Sequence, residues 1–244
     1  MIVKICGLTT EADALLAVGL GADALGFVLA PSPRQVSPST VADIVKRLPQ
    51  SVLTVGVFRD ESPQRVTQIA NHIGLGAVQL HGHETPAQTR WVGERVGTCI
   101  KAFSAGDPAI GRFEEFGADY LLVDGTSPGS GEVFDWRLAE GVVDPTRLIV
   151  SGGLNPANVG QAIAHLHPYG VDVSTGVESS PGRKDPKLVG EFVSAARAAS
   201  ADLLAARGLG PDDGEDAGRD GIGRREGGQG EGGQGDAPYD WMER

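Results

Sequence analysis

A chain of 244 residues, 40 % of them hydrophobic, has the apolar material for one large domain or two small ones. A net charge of −11 and a pI of about 4.9 argue against the basic footprint of a nucleic-acid-binding protein. Cys6 and Cys99, the two cysteines, make no disulfide framework, no apolar run reaches a membrane span, and no basic-then-apolar leader opens the chain, so a soluble cytoplasmic protein engaging neither nucleic acid nor membrane is expected. Short β-branched and aliphatic runs, each followed by a helical pattern, predict eight strands at 2–6, 22–29, 52–58, 77–81, 98–103, 119–123, 147–151 and 171–174. In the first, Ile2, Lys4 and Cys6 share one face, and Val3 and Ile5 the other. That strand ends in a thiol beside Gly7, and Thr10 then offers a helix N-cap.

The later helix starts repeat one device. Ser37-Pro38, Ser62-Pro63, Thr85-Pro86, Asp107-Pro108, Asn155-Pro156 and Asp185-Pro186 each join a capping side chain to a proline suited to the first helical position. Each pair follows a proposed strand and so marks a βα unit. Eight such units in about 200 residues fit a (β/α)8 TIM barrel at the small end of its range. An open doubly wound sheet is the alternative, but no Gly-x-Gly-x-x-Gly turn follows the first strand.

The barrel is expected to span 1–200, with its eighth helix ending near Ala199. Residues 201–244 form a tail whose stretch from Gly208 to Asp236 is dominated by Gly, Asp, Glu and Arg. It includes two tandem Glu-Gly-Gly-Gln-Gly repeats, and such a composition buries too little apolar surface to order itself. The terminal Tyr239-Asp240-Trp241-Met242 reads as a solvated end or a docking motif.

In such a barrel the chemistry gathers at the C-terminal strand ends. There stand Cys6, Ser32-Pro33-Arg34, Gln79-Leu80-His81-Gly82, Lys101, Asp124-Gly125, Ser151-Gly152-Gly153-Leu154, and Asp172-Val173-Ser174-Thr175-Gly176-Val177-Glu178. Period-two alternation pairs Lys4 with Cys6 and Gln79 with His81, and such polar pairs inside a barrel point to a ligand site rather than a core. His81-Gly82-His83 reads as a hydrogen-bonding histidine before a metal pair, because no third ligand is evident; no metal is expected. Lys101 suits either a Schiff base or a buried pair with a carboxylate. Gly152, Gly153, Ser174, Thr175 and Gly176 follow strands 7 and 8, where barrels bind phosphate on backbone N–H groups.

These motifs, with Lys4-Ile5-Cys6-Gly7-Leu8-Thr9, Ile100-Lys101-Ala102 and Phe134-Asp135-Trp136, resemble the phosphoribosylanthranilate isomerase family of tryptophan biosynthesis in order over about residues 1–198. The resemblance implies a (β/α)8 barrel that performs a cofactor-free Amadori rearrangement of N-(5-phosphoribosyl)anthranilate. It makes Cys6 the base, Asp124 the acid and Arg34 the residue at the anthranilate end. Lys4, His81 and Lys101 are expected to bind substrate, and the protein to be a monomer or homodimer. Gln35 stands where the family often has an aromatic residue, and Pro128-Gly129-Ser130-Gly131 replaces a Gly-Gly-Thr/Ser-Gly loop. Alternatives are an indole-glycerol-phosphate synthase-like or ribulose-phosphate epimerase-like barrel, or a silent barrel that binds a partner through its tail. The expected chemistry needs a proton donor for the sugar ring oxygen and a thiolate for the C2′ proton, with Lys4 or Lys101 raising the thiolate share.

Overall fold

A computed structural model describes residues 1–125 and 144–206. Eight parallel strands close into a barrel in chain order: β1 Ile2–Ile5, β2 Ala24–Val28, β3 Leu53–Phe58, β4 Ala77–Leu80, β5 Cys99–Ser104, β6 Tyr120–Asp124, β7 Leu148–Val150 and β8 Gly170–Val173. Closure is made by β1 on β8, in register from Ile2 opposite Gly170 to Ile5 opposite Val173. All eight strands lie where the sequence pattern predicts them, within two residues at each end.

Because strand side chains alternate, each strand feeds two cores. One face fills the barrel: Ala24, Val55, Ala77, Ile100, Ala102, Tyr120, Leu122 and Ile149 pack together there. The other face, including Val3, Ile5, Leu25, Phe27, Val78 and Leu121, packs under the helices. Phe27 is fully buried, and cutting it to Ala should cost about 3–5 kcal/mol through lost transfer energy and a cavity.

The capping devices work largely as the sequence implies. Thr10 opens α1 Glu11–Gly19, accepting the Asp13 N–H at 3.1 Å. Ser37 opens α2 Pro38–Val45 through the Thr40 N–H, and Ser62 precedes α3 Pro63–Ile73. Thr85 and Gln88 form a reciprocal capping box at α4 Pro86–Gly93. Asp185 takes the N–H groups of Lys187 and Leu188 at the start of α6 Pro186–Ala206.

Four features depart from the sequence expectation. Asp107-Pro108 opens a 3₁₀ segment, Pro108–Phe116, rather than an α-helix. Its geometry breaks at Arg112, and Gly117 ends it in the left-handed region. Asn155-Pro156 opens a turn instead of α5 Val159–Leu166, whose N-cap is Asn158. After β8 an antiparallel hairpin, β9 Glu178–Ser180 and β10 Arg183–Lys184, intervenes before α6. α6 itself runs to Ala206, past the expected ending near Ala199 and the domain boundary at 200, and Leu203 still packs against the outer core. Loop motifs at 128–136 and the Gly-rich stretch at 208–236 lie outside the described residues.

Candidate active site

The C-terminal mouth of the barrel holds a cavity of about 540 Å³, and Cys6, Arg34, His81, Asp124 and Asp172 are all in its wall. It is built by the strand tips and the loops that follow them. Cys6 sits one residue beyond β1, with its backbone N–H on Val173 O of β8 at 2.8 Å. The chain then turns through Gly7 at φ +73°. A Cβ on Gly7 would stand 2.5 Å from Arg34 Cδ and 2.8 Å from Ser174 Oγ. The glycine therefore lets three loops close on one another above the thiol.

Beneath Cys6 lies a buried ion pair. Lys4 Nζ meets Asp172 Oδ1 at 2.9 Å, and both side chains are nearly inaccessible. Ser151 Oγ holds the other carboxylate oxygen at 3.3 Å. Burial pulls the Lys4 amine down, but the Asp172 carboxylate and the Cys6 sulfur outweigh it and hold the ammonium above its ordinary range. The thiol moves the other way. Burial pushes Cys6 up, Asp172 adds to the rise, and the opposing pull of Lys4 does not cancel them. The neighbouring Lys4 does favour the thiolate, as the sequence implies, but burial outweighs it in the resting site.

Asp124 closes β6 on the facing wall and is 6 % exposed. Its Oδ1 accepts the Gly125 N–H at 2.8 Å, and its Oδ2 faces His81 Nε2 at 3.3 Å. That contact falls short of an aligned hydrogen bond, and among the described residues the ring nitrogen has no other partner. On the same ring, Nδ1 meets Gln79 Nε2 at 3.0 Å. Gln79 is 1 % exposed, and its Oε1 is buried without a partner among the described residues, which costs free energy unless a ligand supplies a donor.

Lys101 forms the buried pair with a carboxylate that the sequence allowed as an alternative to a Schiff base. Ile100 and Ala102 face the barrel interior, so alternation turns Lys101 to the other face, under the loop after β4. Its ammonium meets Glu84 Oε2 at 2.7 Å, Gly82 O at 2.7 Å and Leu80 O at 3.4 Å, which occupies its three donors. Glu84 in turn accepts the N–H groups of Asp60 and Gly82, each at 3.0 Å. Lys101 therefore carries no free amine for a Schiff base; at the edge of the cavity it knots the loops after β3 and β4.

Arg34 is committed too. Its Nε and Nη2 take both oxygens of Glu178 at 2.8 and 2.7 Å, and Nη2 also reaches Thr175 Oγ1 at 3.2 Å. Lys184, from the β9–β10 hairpin, meets Glu178 Oε1 at 2.8 Å and Ser174 O at 3.1 Å. The fork expected to face a substrate carboxylate is thus bidentate on an internal one. Gln35, at the position noted above, donates to Leu29 O at 3.2 Å and braces the same loop.

Gly152, Gly153, Ser174, Thr175 and Gly176 line one end of the cavity. Residues Thr175–Val177 form a single 3₁₀ turn, and a Cβ on Gly176 would land on the Leu154 carbonyl. The loops after β7 and β8 thus approach backbone to backbone, an arrangement that bares main chain rather than side chain to a ligand. Among the described residues no group of three or more His, Cys, Asp or Glu is placed to hold a metal ion. His83 borders the cavity too, but its ring leans on Asp60 at 3.3 Å rather than pairing with His81. Sequence reasoning left Asp172, Glu84, Glu178, Lys184 and the Gln79 amide without roles. The Pro181-Gly182 turn was a usable signal for the hairpin, whereas the ion-pair partners are remote in sequence.

Comparison with known proteins bears on the family and the fold. The family profile described as N-(5′-phosphoribosyl)anthranilate (PRA) isomerase matches residues 3–195. The N-(5′-phosphoribosyl)anthranilate isomerase of Desulforudis audaxviator is 51 % identical over 205 residues, 81 % of this chain and 98 % of that protein. The phosphoribosyl anthranilate isomerase of Thermus thermophilus superposes with a TM-score of 0.76 at 40 % identity, covering 81 % of this chain and 99 % of that one. A phosphoribosyl anthranilate isomerase solved with reduced 1-(o-carboxyphenylamino)-1-deoxyribulose 5-phosphate gives 0.72 at 39 % identity, covering 81 % and 100 %. With its closed eight-stranded barrel and a profile match over residues 3–195, the chain belongs to the N-(5′-phosphoribosyl)anthranilate isomerase family.

Proposed function

We propose that Cys6 and Asp124 carry the family's isomerisation in this chain, as base and acid respectively. The observation that supports this most is their placement: two proton-transfer groups from β1 and β6 in the walls of one cavity, at the same end of the barrel. The substrate is an aminoaldose closed as a furanose. Asp124 gives its proton to the ring oxygen as the C1′–O bond breaks, and the nitrogen lone pair forms a C=N bond. Cys6, as thiolate, takes the proton from C2′, and the electron pair becomes the C1′=C2′ bond of an enolamine. The C2′ hydroxyl then becomes a carbonyl as C1′ gains a proton, which leaves the aminoketose. Every electron pair stays within the substrate and the two side chains, so the sequence of steps is redox-neutral.

The phosphate is assigned to the backbone end of the cavity, at Gly152, Gly153, Ser174, Thr175 and Gly176. Arg34 offers the anthranilate carboxylate the guanidinium edge that Glu178 leaves uncovered, since five N–H donors exceed what one carboxylate takes. Lys4 acts on Cys6 by charge, and His81 on Asp124. All these groups come from one chain, so either a monomer or a homodimer is active. Among the described residues no helix is long and apolar enough to cross a membrane, and a cytoplasmic location suits a small phosphorylated substrate. The test is kinetic. Asp124→Asn and Cys6→Ser should each lower kcat by about 10² to 10⁴-fold while substrate still binds; near-normal turnover in either variant would remove that residue from its role.

A further inference from the structure

We infer that Gln79 is a positioning residue for the acid: its amide fixes the ring tautomer of His81 so that an N–H, not a lone pair, faces Asp124. The inference rests on the reading of Asp124 as the proton donor. Gln79 and His81 lie two residues apart, so they share the inward face of β4. Gln79 Nε2 stands 3.0 Å from His81 Nδ1. An amide nitrogen has only hydrogens to give, so Nδ1 must accept, and a neutral ring then carries its proton on Nε2. That nitrogen is 3.3 Å from Asp124 Oδ2, a gap of the kind that tightens when substrate binds.

The consequence falls on the product of proton donation. Asp124 Oδ1 already holds the Gly125 N–H at 2.8 Å. With Nε2–H on Oδ2, both oxygens of the carboxylate that forms have a donor waiting, so the charge is stabilised as it develops. Had Nδ1 carried the proton, a lone pair would face that charge and oppose it. The position of the ring is secured independently. Lys101 holds the carbonyls of Leu80 and Gly82 on either side of His81, and Glu84 holds the Gly82 N–H. Packing alone does not account for Gln79, because a core glutamine would have both amide ends paired. Here Nε2 is spent on His81, while Oε1, in a residue of the cavity wall, is buried without a partner among the described residues.

The full chain labelled with ¹⁵N allows a direct test. It has five histidines, and His81→Gln identifies the His81 ring signals by their loss. In the unsubstituted protein, at a pH where the ring is neutral, the proton should sit on Nε2. In Gln79→Glu the new carboxylate accepts only, so Nδ1 should gain a proton; kcat should fall about 10 to 100-fold, with KM changed less than about threefold. A purely structural role would lower melting temperature and active fraction without moving the ring proton. A proton on Nδ1 in the unsubstituted protein overturns the inference, and this spectrum needs no variant to fold. So does a Gln79→Glu protein that keeps its kcat. Gln79→Met, which removes the donor without adding charge, supplies the same rate comparison if Gln79→Glu does not fold. Loss of kcat in Asp124→Asn alongside full activity in both Gln79 variants would refute only the positioning role. Full activity in Asp124→Asn would refute the acid itself.

Discussion

At the scale of single residues, the site turns on which effect dominates at each ionisable group. For Cys6 it is desolvation, so its thiol titrates above its ordinary value of 9.0. The reacting thiolate is then a minor form near neutrality, and kcat/KM should rise with pH across the neutral range. That rise should vanish in Cys6→Ser; a flat profile in the parent protein would contradict the assignment. Cys99 is the matched control. It lies on the helix-facing side of β5, its thiol is pushed up to about 12 by burial, and it should resist alkylation and tolerate Cys99→Ser with nearly unchanged kcat. Arg34→Ala has two expected effects. KM should rise through loss of the carboxylate contact, and the melting temperature should fall because Glu178, 4 % exposed, keeps only Lys184 as a cation. Leaving a charged acceptor half-served costs about 1–3 kcal/mol. Burial raises the Glu178 carboxyl, but Arg34 and Lys184 outweigh it and hold it below its ordinary 4.5. The stability it contributes is therefore complete above about pH 4.5 and lost as pH falls through the lower folded value. Below that range Arg34→Ala and the parent should converge in melting temperature.

At the scale of elements, the knot of Lys101, Glu84, Gly82 and Asp60 ties two loops that share no strand. Lys101→Met alone leaves the Glu84 carboxylate, 3 % exposed, without its cation. Removing one partner of such a pair costs about 3–5 kcal/mol. Lys101→Met with Glu84→Gln should cost much less than the two single changes added together; additive losses in urea unfolding would show that the two side chains act independently. The same element shows why sequence legibility stops where it does. Capping at Thr10, Ser37, Thr85 and Asp185 is settled within three residues, so the helix starts were readable, and the strands followed from runs of apolar residues. Lys101 was readable as an unusual charge, but not its direction. Its partner is 17 residues away on a loop, and β5 has apolar residues on both faces. Arg34 was likewise readable as a site residue, but Glu178, 144 residues on, was not readable as its mate. The Asn155-Pro156 pair misplaced the start of α5 because it opens a turn there, which the Asn158 side chain braces on Asn155 N–H and Gly153 O.

At the scale of the whole molecule, the barrel is clasped at its seam. Arg197 of α6 reaches Met1 O at 2.8 Å, Gly21 O at 3.0 Å and Asp23 Oδ2 at 2.6 Å, tying the last helix to the first two strands. Relatives matched over 98 % of their own length use 81 % of this chain, so a chain ending at Ala206 should keep its activity and its melting temperature within a few degrees. Ending it at Ala199 should lower the melting temperature by removing Leu203 from the outer core; equal melting of the two would show that the last turns of α6 contribute nothing. The seam also orders events in time. Lys4 and Asp172 are separated by 168 residues, and Cys6 donates its backbone N–H to Val173 O. A nascent chain thus exposes its thiol first and receives the floor beneath it last. No partly made barrel holds a finished site, so recovered turnover during refolding times the meeting of the two ends.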